Sequence, residues 1–390
     1  MKELTIIFIC IIFFNLNLFS QSTLIGQVLD QKSFNAIPFS LIRLSKINIQ
    51  SISNEDGFFS FNIVDLNLDD TITVSSLGYS TKKFTIAEML KNRTNKFYLL
   101  ETPINLSEVS VQPINVVSLL NNATKVSSFK FQSPILLNGY YREVVKTDTS
   151  ISKYADGLIS YYLQRDKKTK VEVLTKINQS RLKEINLDDD DRFDGLESKI
   201  PVSKLAEFIE PISASILDSN NFKYYDYQIQ EVNEGTIYVI KFKPKPNTNT
   251  PLYQGVIEID KMTNFILSIE YKFSPTPNFK VLKNVTILGM SVSITDITTI
   301  VKYNLENENY FPIYVYKRIN FSTNFKKISQ TNEVKSEFIT VDFKNEGIVK
   351  PIELFKKKYL YQNGNKFTYN FWEYLNINPN SKLINNFLKD

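Results

Sequence analysis

Glu143, Asp156 and Glu172 are the side chains that could do chemistry here, because the chain has no histidine and one cysteine, Cys10. Without imidazole or a mature thiol, Ser-His-Asp and Cys-His nucleophile activation, histidine-ligated zinc and histidine acid–base catalysis are all out of reach. Paired carboxylates need neither group, and they hydrolyse glycosides when held at the correct separation. The competing reading makes the same acids surface or strand-edge charges, as solvated carboxylates ordinarily are.

Other constellations are weaker. Ser-x-x-Lys occurs at Ser80/Lys83, Ser127/Lys130 and Ser150/Lys153, but the companion Ser-Asp-Asn and Lys-Thr-Gly motifs are missing. The 11 glycines never take the spacing of a phosphate-binding loop or a dinucleotide fingerprint. The acidic run Asp188 to Asp191 with Asp194 supplies hard oxygen ligands of the type calcium takes. Arg192 stands where an oxygen ligand belongs if Asp190 opened the loop, so a solvated loop is the better reading. Tyr140, Tyr141, Tyr161 and Tyr162 suit a glycan- or peptide-binding surface or, more simply, sheet packing. No catalytic, cofactor-binding or metal-ligating set can be assigned, and no cofactor is expected.

The elements that must position such residues are mostly strands. Of the 390 residues 43% are hydrophobic, and 29 Phe and 21 Tyr favour pleated surfaces. The length suits two or three units of ordinary domain size. Residues 1–20 read as an export signal: Lys2 opens it, Ile6 to Phe14 is its apolar core, and a small residue precedes Gln21. The apolar run is short of a membrane span and is interrupted by Asn15 and Asn17. Removing the signal takes Lys2 and Glu3 together, so the net charge stays at +5. That modest charge, with no basic block interleaved with aromatics, argues against nucleic acid.

From Gln21 to Val111 seven short alternating runs are separated by turn signals, the spacing of an antiparallel sandwich. At their centre, Asn54-Glu55-Asp56-Gly57 is turn chemistry, followed by Phe59, Phe61 and Ile63 alternating with Ser60 and Asn62. Gly26 to Asp30, Ile37-Pro38-Phe39, Asn54 to Phe59, Leu77-Gly78-Tyr79 and the closing Leu106 to Val111 stand in one order. In that order they resemble the carboxypeptidase regulatory-like domain of many Gram-negative envelope proteins. The resemblance implies a seven-stranded, transthyretin-like sandwich without catalytic activity, the accessory part of carboxypeptidases and not their zinc-bearing part.

Beyond it, Val116, Leu119, Leu120, Ala123 and Val126 share one helical face, giving a helical connector over 112–130. Residues 131–390 are β-rich. Strands are expected over 139–145 and 153–162, a bent helix near 203–217 with Leu205, Phe208, Ile209, Ile212 and Ile216 on one side, and hairpins from Tyr225 to Phe273. Further strands follow over 285–288, 299–304, 312–321 and 334–343, and a closing helix or cap is expected around 371–374 and 383–388. The Gly139-Tyr140-Tyr141-Arg142-Glu143 string resembles one in uncharacterised envelope proteins, and the strand pattern is similar to the curved sheets of lipoprotein-carrier-like proteins. A membrane barrel does not fit, because Lys and Glu occur on both faces of several runs.

The fold class expected is therefore mainly β: a seven-stranded transthyretin-like sandwich, then a larger antiparallel β-sheet domain with a few helices. The function expected is that of a non-enzymatic exported protein, periplasmic or outer-membrane associated. Its sandwich docks or presents, and its larger part binds another envelope protein or a glycan or supports the outer membrane. No nucleic acid and no integral span in the mature chain are expected. The alternatives are a carboxylate-dependent glycan hydrolase, and a periplasmic carrier whose sheet would cover a wide apolar cavity.

Overall fold

The computed structural model describes residues 22–44, 49–63, 68–91, 95–102, 114–129, 134–165, 171–184, 200–232, 235–287, 289–306, 309–362 and 377–389. The expected export signal, the Leu106 to Val111 segment, the Asp188 to Asp194 run and the 371–374 cap lie outside these residues. The chain divides into two units. One comprises Met1–Thr102 with Tyr374–Lys382, the other Pro103–Glu373 with Leu383–Asp390.

Alternation builds the first unit. Its strands are β1 (Ser22–Asp30), β2 (Leu41–Leu44), β3 (Ile49–Ile52), β4 (Phe58–Ile63), β5 (Thr71–Ser75), β6 (Lys82–Thr85) and β7 (Asn95–Leu99), with a one-turn helix α1 (Ile86–Met89) after β6. They form two sheets, β4-β1-β7 and β3-β2-β5-β6, with β1 antiparallel to β4 and parallel to β7. Every second residue faces inward, so Leu24, Val28, Ile42, Leu44, Phe59, Phe61, Ile72, Val74, Phe97 and Leu99 make one buried core. This is the seven-stranded transthyretin-like sandwich expected from the sequence.

Two features lock that core. A Cβ on Gly26 would stand 2.4 Å from the Phe59 ring and 2.6 Å from the Phe97 ring, so the missing side chain is what admits both aromatics. At the central turn Gly57 takes φ +77°, and Asn54 Oδ1 accepts from the N–H groups of Asp56 and Phe58, each at 2.9 Å. Asn54 Nδ2 donates to the carbonyls of Pro379 and Asn380 at 3.2 Å, and Asp56 Oδ2 accepts from the N–H of Lys382 at 2.8 Å. The turn thus holds both its own strands and a segment from the far end of the chain.

The second unit is one eleven-stranded antiparallel sheet with few helices. Its strands are β8 (Ile135–Thr147), β9 (Ser150–Arg165), β10 (Val171–Glu184), β11 (Tyr225–Val232), β12 (Ile237–Pro244), β13 (Leu252–Asp260), β14 (Ile266–Ser274), β15 (Lys283–Ile287), β16 (Met290–Glu306), β17 (Asn309–Phe325) and β18 (Ile328–Lys344). They run in the order β10-β9-β8-β18-β17-β16-β14-β13-β12-β11, with β15 attached to β16. The last strand returns beside the first, Val334 opposite Val145 and Phe338 opposite Tyr141. Among the described strands β10 and β11 are the two edges, so the sheet is open rather than closed into a barrel.

Where a bent α-helix was expected near 203–217, the chain makes successive 3₁₀ turns: Val202–Ile209, Pro211–Ser213, Ser215–Leu217 and Ser219–Tyr224. Pro211 cannot donate an N–H, and each short turn closes on itself, as in Ala214 N to Pro211 O and Leu217 N to Ala214 O, both at 2.9 Å. These turns still bury the expected stripe, Leu205, Phe208, Ile209 and Ile216, while Ile212 is exposed. They pack on one face of the sheet, where Tyr161 Oη donates to Val202 O at 2.6 Å and Tyr303 Oη to Phe208 O at 2.9 Å.

The helix expected as a connector, α2 (Val116–Phe129), belongs to this unit. Leu120 and Ala123 are fully buried, and Ser127 Oγ accepts from the N–H of Ile266 at 3.0 Å. On the opposite face, Ile384 and Phe387 of helix α3 (Lys382–Lys389) pack on Val144, Ile151 and Tyr154. β10 is a full strand that the sequence reading did not identify, and β16 to β18 run well past their expected ends.

Candidate functional site

The register decides which carboxylates meet. Cross-strand partners share a face, and β8 and β9 pair Arg142 with Asp156 and Glu143 with Ala155. Asp156 and Glu143 therefore lie on opposite faces of the same sheet. Glu172 is exposed near the end of β10, where Gln164 Nε2 donates to it. None of the three expected acids faces another.

On the Asp156 face a polar network is closed on itself. The Asp156 carboxylate accepts from Tyr140 Oη at 2.8 Å, Tyr154 Oη at 2.6 Å, and Arg181 Nε and Nη2 at 2.9 and 2.8 Å. Arg142 pairs with Glu337, which also accepts from Tyr314 Oη at 2.9 Å. Burial, first of all, and the adjacent carboxylates hold the Tyr140 and Tyr314 hydroxyls well above the usual tyrosine range. Every carboxylate here has a guanidinium and hydroxyl partners, which makes this a framework that fixes strand register.

On the other face Glu143 is buried with no cation. Tyr141 Oη donates to it at 2.9 Å, and the N–H of Tyr361 at 2.7 Å. Tyr361 belongs to the 3₁₀ turn Leu360–Gln362. Burial pushes the Glu143 carboxyl up to about 7, against the lowering effect of these donors.

Several of the remaining sequence candidates among the described residues are also in structural use. Tyr140, Tyr141, Tyr161 and Tyr162 are all buried in the sheet. Ser80 Oγ donates to Leu100 O, Ser127 is spent on Ile266, and Lys153 Nζ sits 5.1 Å above the Tyr361 ring. Among the described residues there is no group of three or more His, Cys, Asp or Glu able to hold a metal ion.

The open concavity is elsewhere, on β11 to β14. It has a volume of about 570 Å³ and is lined along three cross-strand rows. Asp226, Lys243, Gln254 and Lys272 form one row, and Gln228, Lys241, Val256 and Glu270 another, both on the same face as Asp156 and Arg142. Between them runs the row Tyr227, Phe242, Gly255 and Tyr271, whose side chains alternate to the opposite face. Gly255 belongs there because a Cβ would stand 2.0 Å from the Glu270 carbonyl oxygen. Burial raises the Glu270 carboxyl, while the nearby Lys302 and Lys272 lower it and Glu258 raises it further.

No residue of this groove was singled out from sequence. The available signal was the solvent-side half of each hairpin, the alternate positions left over once Tyr227, Phe242 and Tyr271 are assigned inward.

Residues 24–111 match the family described as the CarboxypepD_reg-like domain, the span of the first sandwich. No curated protein matches the chain. Among solved structures, one of lipid–protein interactions in lipovitellin is 10% identical, covering 57% of this chain and 27% of that one, with a TM-score of 0.23. An acyl-CoA thioesterase II TesB2 from Mycobacterium marinum is 10% identical over 57% of this chain and 90% of that one, with a TM-score of 0.10. The chain spans about a quarter of the lipovitellin it matches. At these TM-scores neither likeness carries an argument about fold or function. Among the described residues no helix is long and apolar enough to cross a membrane.

Proposed function

We propose that this is a non-enzymatic, exported protein of the cell envelope, in which the sandwich docks and the larger sheet holds a molecule in the β11–β14 groove. One observation carries the reading. The buried acids capable of catalysis are committed to internal partners on separate faces, whereas the solvent-facing groove converges polar side chains, three exposed lysines among them, on an open volume. An arrangement of that kind recognises and does not transform. Export rests on the N-terminal charge and hydropathy pattern, and docking on the sandwich family match.

The carrier alternative asks for an apolar chamber against the sheet. Where the 3₁₀ turns and α2 cover it, that space is occupied by Leu205, Phe208, Ile209, Leu120 and Ala123.

Native mass spectrometry of the full chain, isolated from its own envelope, tests the proposal. A bound molecule is expected, retained by the parent and lost from Val256→Trp, whose indole fills the groove. Turnover of any glycan by the purified chain, abolished by replacing one acid, would overturn it.

A further inference from the structure

We infer that the β11–β14 groove takes an acidic oligosaccharide, with its carboxylates on Lys241, Lys243 and Lys272 and its hydroxyls on Gln228, Gln254 and Asp226. The inference rests on the reading above that this groove binds a molecule, and it specifies the chemistry.

Charge comes first. The three lysines are exposed, and among the described residues none forms a salt bridge or a hydrogen bond. Three ammonium groups outnumber the two carboxylates, Asp226 and Glu270, that line the same concavity, so the groove favours anions over neutral ligands even though Lys272 already lies near Glu270. Lys241 and Lys243 stand on β12 and Lys272 on β14, two strand spacings away, about 10 Å. The ligand therefore carries at least two negative groups separated by that distance.

The remaining lining selects a hydroxyl-rich body. Gln254 Oε1 accepts from Ser274 Oγ at 3.0 Å, which leaves its Nε2 as a donor toward the groove. Gln228 and Asp226 add a donor and acceptors at the β11 edge. Val256 is the one aliphatic side chain in the two exposed rows, and the aromatic rings of the middle row point away. An apolar anchor thus meets only Val256 and the aliphatic stems of the long polar residues, with no aromatic ring to pack on. The backbone of the floor is consumed by pairing Phe242 with Gly255 and Gly255 with Tyr271, so within the groove recognition falls to side chains.

The test is calorimetric titration of the full chain with a short oligogalacturonate, a neutral malto-oligosaccharide of the same length and an oligoglutamate. The uronate is expected to bind, with affinity falling as salt is added. In Lys241→Gln/Lys243→Gln/Lys272→Gln, exposed changes that leave the melting curve in place, affinity should drop on the order of tenfold. No uronate binding, or binding the triple variant keeps, overturns the inference, as does preference for oligoglutamate. A neutral oligosaccharide bound in the parent and expelled by Val256→Trp overturns it too, yet leaves the groove reading standing. Failure to find on the native chain any bound molecule that Val256→Trp expels removes that reading itself.

Discussion

Glu143 and Asp156 lie on neighbouring strands one register step apart, yet the sheet itself separates them, one carboxylate on each face. Four donors from Tyr140, Tyr154 and Arg181 close around Asp156. Glu143 has a hydroxyl and a backbone N–H but no cation. Two acids that look alike in sequence are therefore expected to answer mutation and pH differently.

Asp156→Asn should destabilise the second unit by about 3 kcal/mol, the cost of leaving a largely buried guanidinium without its counter-charge. Urea denaturation followed by tyrosine fluorescence measures it. Equal midpoints for variant and parent would mean that Arg181 is paired elsewhere.

Glu143 sets a pH dependence. Its carboxyl is raised from 4.5 to about 7 in the folded chain, so between these values the native state holds a proton that the unfolded state has released. The contribution is fully present below about 4.5, falls as pH rises through 7, and amounts to about 3 kcal/mol. Glu143→Gln keeps an acceptor for the Tyr361 N–H and should flatten the decline in melting midpoint between pH 5 and 8. A slope unchanged by the substitution would refute the assignment.

Asn54→Ala removes the acceptor for two turn amides and the donor to Pro379 and Asn380. A loss of about 1–3 kcal/mol is expected. Hydrogen exchange should show faster labelling at Asp56 and Phe58, whose N–H groups lose that acceptor.

Gly26→Ala should cost about 1–3 kcal/mol through overpacking, because its methyl would stand 2.4 Å from the Phe59 ring. Pairing it with Phe59→Leu, which makes room, should recover part of the loss in thermal melts. A double mutant no more stable than Gly26→Ala alone would shift the collision from Phe59 to the Phe97 ring, 2.6 Å from the same methyl.

The sandwich was legible because each strand carries its own alternation and each turn its own Asn, Asp or Gly, signals that need no distant partner. The second unit was less so. β10, Val171 to Glu184, is rich in polar residues on both sides, and its interior side appears only once β9 lies beside it. Residues 203–217 show a helical stripe, yet Pro211 splits them into 3₁₀ turns. The groove is a product of register: Asp226, Lys243, Gln254 and Lys272 are scattered over 47 positions of chain and become neighbours only when three hairpins align. Long-range pairing of that kind leaves no local trace.

Asn54 reaches across more than three hundred residues to hold Pro379 and Asn380. During synthesis the seven strands emerge early, but the strap they grip emerges hundreds of residues later, at about 5–20 residues per second a delay of tens of seconds. A fragment ending at Thr102 would thus lack a part that belongs to its fold, and the nascent sandwich must survive half-finished until the chain comes home to it.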